Sequence, residues 1–344
     1  MPDIKPFLHT LFDGRPLERS AARDAMGMMM SGDVDEAQVC ALLGAIQPRG
    51  VRADELAGFA EAMRDRAVTI PIRRTPLIDT CGTGGDGLST FNFSTAAALV
   101  AAGAGAAVAK HGNRAVSSRA GSADVLEALG VAVDCAPSLT QRSIEQTGFG
   151  FLFAPLYHPA MKHVARARKA IGLPTVFNLL GPLTNPARVR RQVMGVRDLS
   201  LVTIYAATLL ELGVDRVMIV HGEDGMDELS VAGATFICQI DEWGGIRNGV
   251  VTPEELGLPR ADPRALVGGD AAANARALEH ICHGEGGPLL DGTLLNASAA
   301  LLVAGSVPTL RDGVEIAREC IRSGRAAVLL EELRRLNRDH SDAL

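Results

Sequence analysis

Residues 77–114 read LIDTCGTGGDGLSTFNFSTAAALVAAGAGAAVAKHGNR. A short apolar run, a glycine-rich loop, an alanine-rich helix and a second apolar run follow one another, which is the order of a βαβ unit. LIDT (77–80) and AAVAK (106–110) are the expected strands, with a helix between them from Ser94 to about Ala102. The pattern continues downstream with the apolar runs VAVD (131–134), FLFA (151–154) and RVMIV (216–220). A helix is expected from Ser122 to Leu129, where Gly130 takes the position that favours glycine after a helix end. From Pro71 onward the chain therefore reads as an α/β unit around a mainly parallel sheet.

Upstream the periodicity is helical. Phe7, Leu8, Leu11 and Phe12 recur at helical spacing, and PLERSAARDAMGMMM, DEAQVCALLGAI and ADELAGFAEAMRDRA each place apolar residues on one face. Gly14, Ser31-Gly32-Asp33 and Pro48-Arg49-Gly50 separate these helices. The domains expected are thus a small all-helical unit over 1–70 and a larger α/β unit over 71–344.

The 344 residues carry 34 Lys plus Arg against 40 Asp plus Glu, with 47% hydrophobic residues, which excludes disordered and fibrous classes. A net charge of −6 offers no basic stripe for a nucleic acid. Cys40, Cys81, Cys135, Cys238, Cys282 and Cys320 form no CxxC pair and read as reduced thiols. The apolar stretch 96–109 is broken by Gly103 and Gly105 and falls short of the ~20 residues of a membrane span. The first thirty residues lack the apolar run of a signal peptide, so the expected location is cytoplasmic, away from membranes.

Four loops after the expected strands carry the unusual residues: CGTGGDGLSTFNFS, HGNRAVSSRAGS, PLYHPAMKH and HGEDGMDELS. In a parallel sheet the strand C-termini share one edge, so these loops should converge on one cleft. Gly82-Thr83-Gly84-Gly85-Asp86-Gly87 matches GxGxxG, but the helix waits until Ser94, unlike a dinucleotide fingerprint. Ser89, Thr90, Asn92, Ser94 and Thr95 suit an anion at a helix N-terminus, or equally a glycine turn with an ordinary cap. Lys110 can face phosphate oxygens or snorkel to the surface, and Ser117, Ser118 and Ser122 can extend an anion site or cap the next helix. Asp227-Glu228 suits magnesium shared with substrate phosphates, or forms a solvated acidic turn. Arg166, Arg168 and Lys169 read as one polar helix face, and the pattern does not choose among them. No Walker A loop, GxSxG elbow or zinc-type histidine pair is present, so covalent catalysis has no candidate nucleophile.

Taken together, GTGGD (82–86), NFST (92–95), KHGNR (110–114), GSADVLEALG (121–130), HPAMKHVARARKAIG (158–172), FNLLGPLTNP (177–186) and HGEDGMDELS (221–230) resemble the anthranilate phosphoribosyltransferases of tryptophan biosynthesis. The resemblance spans nearly the whole chain. It implies the fold type of nucleoside phosphorylases and phosphoribosyltransferases, with a segment near 168–190 returning to the helical domain, and a homodimer through that domain. By position it implies that Gly82, Gly84, Gly85 and Asp86 shape a pyrophosphate pocket, with Thr90, Asn92, Ser94, Thr95, Lys110, Gly112 and Ser122 around phosphoribosyl pyrophosphate. Two Mg2+ ions would be held, one by Ser94 and one by Asp227 and Glu228. Asn113 and Arg168 would hold anthranilate, Arg168 through its carboxylate, with His111 and His158 lining that pocket, and Lys110, Asp86 and Arg168 carry the implied catalytic roles. Ala120 and Arg166-Ala167 depart from the family pattern without removing any of these residues. The rivals are a pyrimidine nucleoside phosphorylase and a nucleic-acid-binding relative of the same fold.

Overall fold

The computed structural model describes residues 3–115 and 119–341. Four helices open the chain, α1 (Lys5–Phe12), α2 (Arg19–Met29), α3 (Glu36–Ile46) and α4 (Ala53–Asp65). Their apolar faces meet in one core that holds Met26, Met29, Leu42, Leu56 and Phe59. Glu55 is buried beneath Arg49 and accepts the backbone N–H of Leu17, tying the α1–α2 connection to α4.

The rest of the chain alternates strands and helices: β1 (Leu77–Thr80), α5 (Phe93–Gly103), β2 (Ala107–Gly112), α6 (Ser122–Ala128), α7 (Pro137–Thr147), β3 (Phe149–Phe153) and α8 (Ala154–Tyr157). Then come α9 (Lys162–Ile171), α10 (Phe177–Leu180), β4 (Arg191–Gly195), α11 (Leu201–Glu211), β5 (Arg216–Gly222), β6 (Thr235–Ile240) and β7 (Ile246–Val251). Helices α12 (Ala271–Cys282), α13 (Pro288–Ala304), α14 (Leu310–Arg322) and α15 (Arg325–Ser341) complete it. Among the described residues one seven-stranded sheet forms, in the order β3-β2-β1-β4-β5-β6-β7. β1 to β5 are parallel, and β6 and β7 close one edge antiparallel.

Helices α5 and α13 pack together over one face of the sheet, and the end of α5 lies against α14 and α15, where a side chain at Gly103 would meet Cys320 and Ala326. The other face is covered by α11 and, through it, by the helical unit. Segment 162–183 belongs to that second core: α9 packs on α3, α10 on α4, and Val164, Ala167, Val176, Phe177, Leu180 and Leu183 are buried there.

VAVD (131–134) is a correction. It forms no strand: β3 pairs with β2, and Val131 and Val133 are buried in the core that also holds Leu329, Leu330 and Leu333 of α15. β4, β6 and β7 add strands that the apolar runs do not reveal. β3 begins at Phe149, and Ala154 already belongs to α8.

Candidate active site

β1 ends at Thr80 and leads directly into the glycine loop, in which Gly84 and Gly85 both have positive φ, a backbone conformation that a side chain resists. The loop is held from two directions. The N–H of Thr83 donates to Gly195 O at the end of β4 (2.9 Å), and that of Gly84 to Asp227 Oδ2 after β5 (2.6 Å). A side chain at Gly82 would lie 2.7 Å from Asp227 Oδ2, so glycine is what lets the carboxylate come this near. Glu228 Oε1 accepts the N–H of Ser94 (2.8 Å) in the first turn of α5, which begins at Phe93 and has no side-chain cap from Asn92. The acidic pair therefore sits on the free N–H groups of a loop and a helix start.

Both residues keep part of their surface exposed, and protein atoms crowd their carboxylates. This burial pushes both carboxyls above their ordinary range, Asp86 adding repulsion at Asp227 and Asp227 adding it at Glu228. Among the described residues no three acidic, histidine or cysteine side chains converge on one point. A pair of carboxylates with free lone pairs beside open space fits a hard divalent cation that keeps most of its ligands as water or substrate oxygen.

Lys110, near the end of β2, is only 2% exposed. Its Nζ donates to Thr80 O (2.8 Å) and Thr80 Oγ1 (3.3 Å), so the ammonium lies directly beneath the start of the glycine loop. Burial lowers its pKa, while Asp79, Glu228 and Asp227 favour the charged form. The side chain does not snorkel.

Next to it, His111 and His158 form a buried pair with ring centroids 5.2 Å apart. His111 Nδ1 lies 3.2 Å from Gly181 O, while its Nε2 has no partner. The Thr184 backbone is near enough to bias His158 toward its charged form, but neither ring nitrogen reaches hydrogen-bond geometry. Burial lowers His111 to about 3 and His158 to about 4, so both rings are neutral at physiological pH. Arg168 on α9 is half-buried, its guanidinium 5.2 Å from the Phe177 ring centre, and no carboxylate pairs with it among the described residues. Arg166, by contrast, pairs with Glu36 on the outer face (3.2 Å). Of Arg166, Arg168 and Lys169 on α9, Arg168 is thus the one that is partly buried, while Arg166 and Lys169 are exposed.

The remaining expected residues are more constrained. Asn92 is tied between Ala120 O and Asn274, Thr90 bridges to Val267, and the Thr95 hydroxyl is buried without a partner. Asp86 accepts Leu88 N–H at the loop end (3.1 Å). Exposed Asn113 turns its side chain onto Arg114 N–H, and its carbonyl accepts Ser122 Oγ (3.3 Å). Gly112 packs on Ser122 and the Phe151 ring, leaving no room for a side chain. Ser117 and Ser118 lie outside the described residues. Asp79, Thr80, Asn185, Gly195 and Arg197 escape the sequence reading. Arg197, exposed and without a carboxylate partner among the described residues, has Nη1 3.2 Å from where a Gly85 side chain would begin. The available signal is a charged residue, Asp79, inside the four-residue strand LIDT.

Residues 5–67 match the helical bundle domain of a glycosyl transferase family, and residues 74–327 match its a/b domain. An anthranilate phosphoribosyltransferase of Symbiobacterium thermophilum is 49% identical over 96% of this chain and 97% of its own, and one from Anaeromyxobacter dehalogenans is equally similar. The crystal structure of anthranilate phosphoribosyltransferase from Thermus thermophilus superposes with a TM-score of 0.91 at 46% identity, over 96% of this chain and 99% of that one. The Saccharomyces cerevisiae enzyme in complex with PRPP and Mg gives 0.89 at 28% identity over 98% of each chain. These likenesses cover both units and every loop of the cleft, and the chain belongs to the anthranilate phosphoribosyltransferase family.

Proposed function

We propose that the cleft transfers the phosphoribosyl group of phosphoribosyl pyrophosphate to the amine of anthranilate, giving N-(5-phosphoribosyl)anthranilate and pyrophosphate in tryptophan biosynthesis. The observation that carries this reading is the juxtaposition of two unlike half-sites along one sheet edge. The glycine loop, Asp227-Glu228 and Lys110 form one; the neutral His111 and His158, next to Lys110, begin the other, to which Arg168 on α9 would add its guanidinium. Relatives in complex with PRPP and Mg, and with 4-fluoroanthranilate, support the pairing.

Backbone N–H groups of Gly82–Gly87, with Asn92, Ser94, Thr95 and Lys110, would hold the donor's phosphates, and Asp86 would shape the pyrophosphate pocket. Thr90, Gly112 and Ser122 would line the ribose side. Asp227 and Glu228 would hold one magnesium and Ser94 a second, supplying positive charge against the leaving pyrophosphate. The C1–O bond breaks as the bond from C1 to the amine nitrogen forms, charge accumulates on pyrophosphate oxygens beside Lys110, and the nitrogen then releases one proton to solvent. Arg168 would grip the acceptor's carboxylate with two parallel hydrogen bonds, and stacking on Phe177 holds the guanidinium plane. Asn113 would lie at the acceptor entrance. The uncharged rings of His111 and His158 would place apolar surface and hydrogen-bond acceptors around the amine without repelling C1 as it gains positive charge.

The helical unit leaves Phe12 68% and Leu173 69% exposed, apolar surface that a second copy would cover in a homodimer. No helix among the described residues is long and apolar enough to cross a membrane, and a cytoplasmic location is proposed with the pathway. A fluorescence assay of anthranilate consumption, with phosphoribosyl pyrophosphate and magnesium, tests the reading. Loss of signal only when all three are present is expected; consumption of a pyrimidine nucleoside with phosphate instead would replace it.

A further inference from the structure

Beneath the cleft lies a carboxylate that the reaction scheme above does not use. Asp79, in β1, has no accessible surface. Its Oδ1 accepts the N–H of Thr80 (2.7 Å) and the N–H of His111 (3.2 Å), and its Oδ2 accepts Asn185 Nδ2 (2.8 Å). Asn185 Nδ2 also donates to Ala109 O (2.8 Å), so this pair of side chains joins β1, β2 and the chain that arrives from the helical unit. Asp79 is the opposite charge that acts most strongly on Lys110, whose ammonium rests on Thr80, the next residue along β1. Two buried charges from adjacent strands thus offset each other directly under the glycine loop. A carboxylate is required there on chemical grounds, because three N–H donors point at it and only an acceptor-only group satisfies all three.

We propose that Asp79 is a positioning residue for phosphoribosyl transfer, a buried carboxylate that fixes the Lys110 ammonium and the His111 backbone from below and acts through them. It touches neither substrate. It sets where the cationic floor of the donor pocket and the first residue of the acceptor pocket stand relative to one another. The inference rests on the function proposed above, and deepens it.

The test uses the full chain and steady-state transfer to anthranilate, with Asp79→Asn, Lys110→Met, the double variant and Asn185→Ala. Wild-type turnover checks the functional reading on its own; its absence would sink that reading, whatever the variants do. With wild type active, Asp79→Asn turns an amide nitrogen toward one of the three donors, and kcat is expected to fall at least tenfold. Asn185→Ala removes one hydrogen bond and leaves the carboxylate, so it is expected to lower the thermal midpoint while keeping kcat within about threefold. The double variant removes both buried charges together, which favours a folded protein even where Asp79→Asn alone fails to fold. Its kcat is expected to fall within about threefold of that of Lys110→Met, since only the His111 backbone is left for Asp79 to hold. An additional tenfold loss in the double variant would overturn the proposal. So would an Asp79→Asn enzyme with wild-type kcat and KM, or an Asn185→Ala enzyme that loses kcat as severely.

Discussion

Gly195, the last residue of β4, lies against the backbone of Asp227 so closely that a methyl group on its Cα would overlap the Asp227 carbonyl oxygen. The same glycine accepts the N–H of Thr83 through its own carbonyl. The ends of β1, β4 and β5 are therefore interlocked backbone to backbone, and the position of the acidic pair over the glycine loop is a consequence of that packing. No side-chain contact could bring Asp227 Oδ2 to 2.6 Å from Gly84 N if the β4 terminus held Asp227 further out.

Gly195→Ala follows from this. The added methyl forces Asp227 away from the loop, an overpacking of the kind that costs about 1–3 kcal/mol in a well-filled site. Magnesium-dependent turnover is expected to drop at least tenfold with secondary structure by circular dichroism unchanged. Activity within twofold of wild type would show that the loop and the carboxylate need not touch.

The acidic pair can be tested without deleting its hydrogen bonds. Asp227→Asn with Glu228→Gln keeps an oxygen for Gly84 N–H and Ser94 N–H but removes both charges. Carboxyls whose folded pKa is raised weaken the fold at pH values above that pKa, where the native state must hold them ionised. At pH 8 without metal the double variant is expected to melt at a higher temperature than wild type. With phosphoribosyl pyrophosphate present, magnesium at a hundred times its Kd should stabilise wild type by about 2.7 kcal/mol for the ion at the acidic pair, and the variant by correspondingly less, since only the ion at Ser94 remains. Equal magnesium shifts in thermal melts would place the ion elsewhere.

Arg168→Lys separates charge from shape. Lysine retains the positive charge but loses the planar fork and the stacking on Phe177. The KM for anthranilate is expected to rise about tenfold, with that for phosphoribosyl pyrophosphate within twofold. Equal changes in both would remove Arg168 from the acceptor half-site.

The loops were legible because their composition is costly to explain otherwise: GTGGD, KHGNR and Asp227-Glu228 concentrate donors and charges at strand ends, and the structure brings them together. What escaped depends on partners distant along the chain. Asp79 and Asn185 are 106 residues apart, and neither is unusual until the two are seen joined. β4 opens with Arg191 and Gln192, which read as surface residues, yet Gln192 is buried and bridges Pro182 O and Cys81 O. VAVD misleads for the converse reason. Alternating valines mark residues that are buried, and hydrogen-bonding to a neighbouring strand is decided elsewhere, here with β3 in the place beside β2.

The histidine pair gives the last prediction, with a sign fixed by burial. His158 is lowered to about 4 in the folded chain by desolvation, while in the unfolded chain it returns to its ordinary value near 6.5. Between these values the unfolded state binds a proton that the native state refuses, so His158 weakens the fold as pH falls from about 6.5 toward 4 and has no such effect above 6.5. The slope approaches about 1.4 kcal/mol per pH unit, or roughly 2 kcal/mol between pH 6.5 and 5. His111 and the Thr184 backbone lie beside the ring, and His111 stays neutral through this window because its own value is about 3. Comparing wild type with His158→Gln by urea unfolding at pH 7.5 and pH 5 cancels the acidic groups common to both. The variant is expected to gain about 2 kcal/mol relative to wild type on going to pH 5. A constant difference at the two pH values would mean that the ring accepts a proton in place, and that the acceptor half-site is more polar than its packing implies.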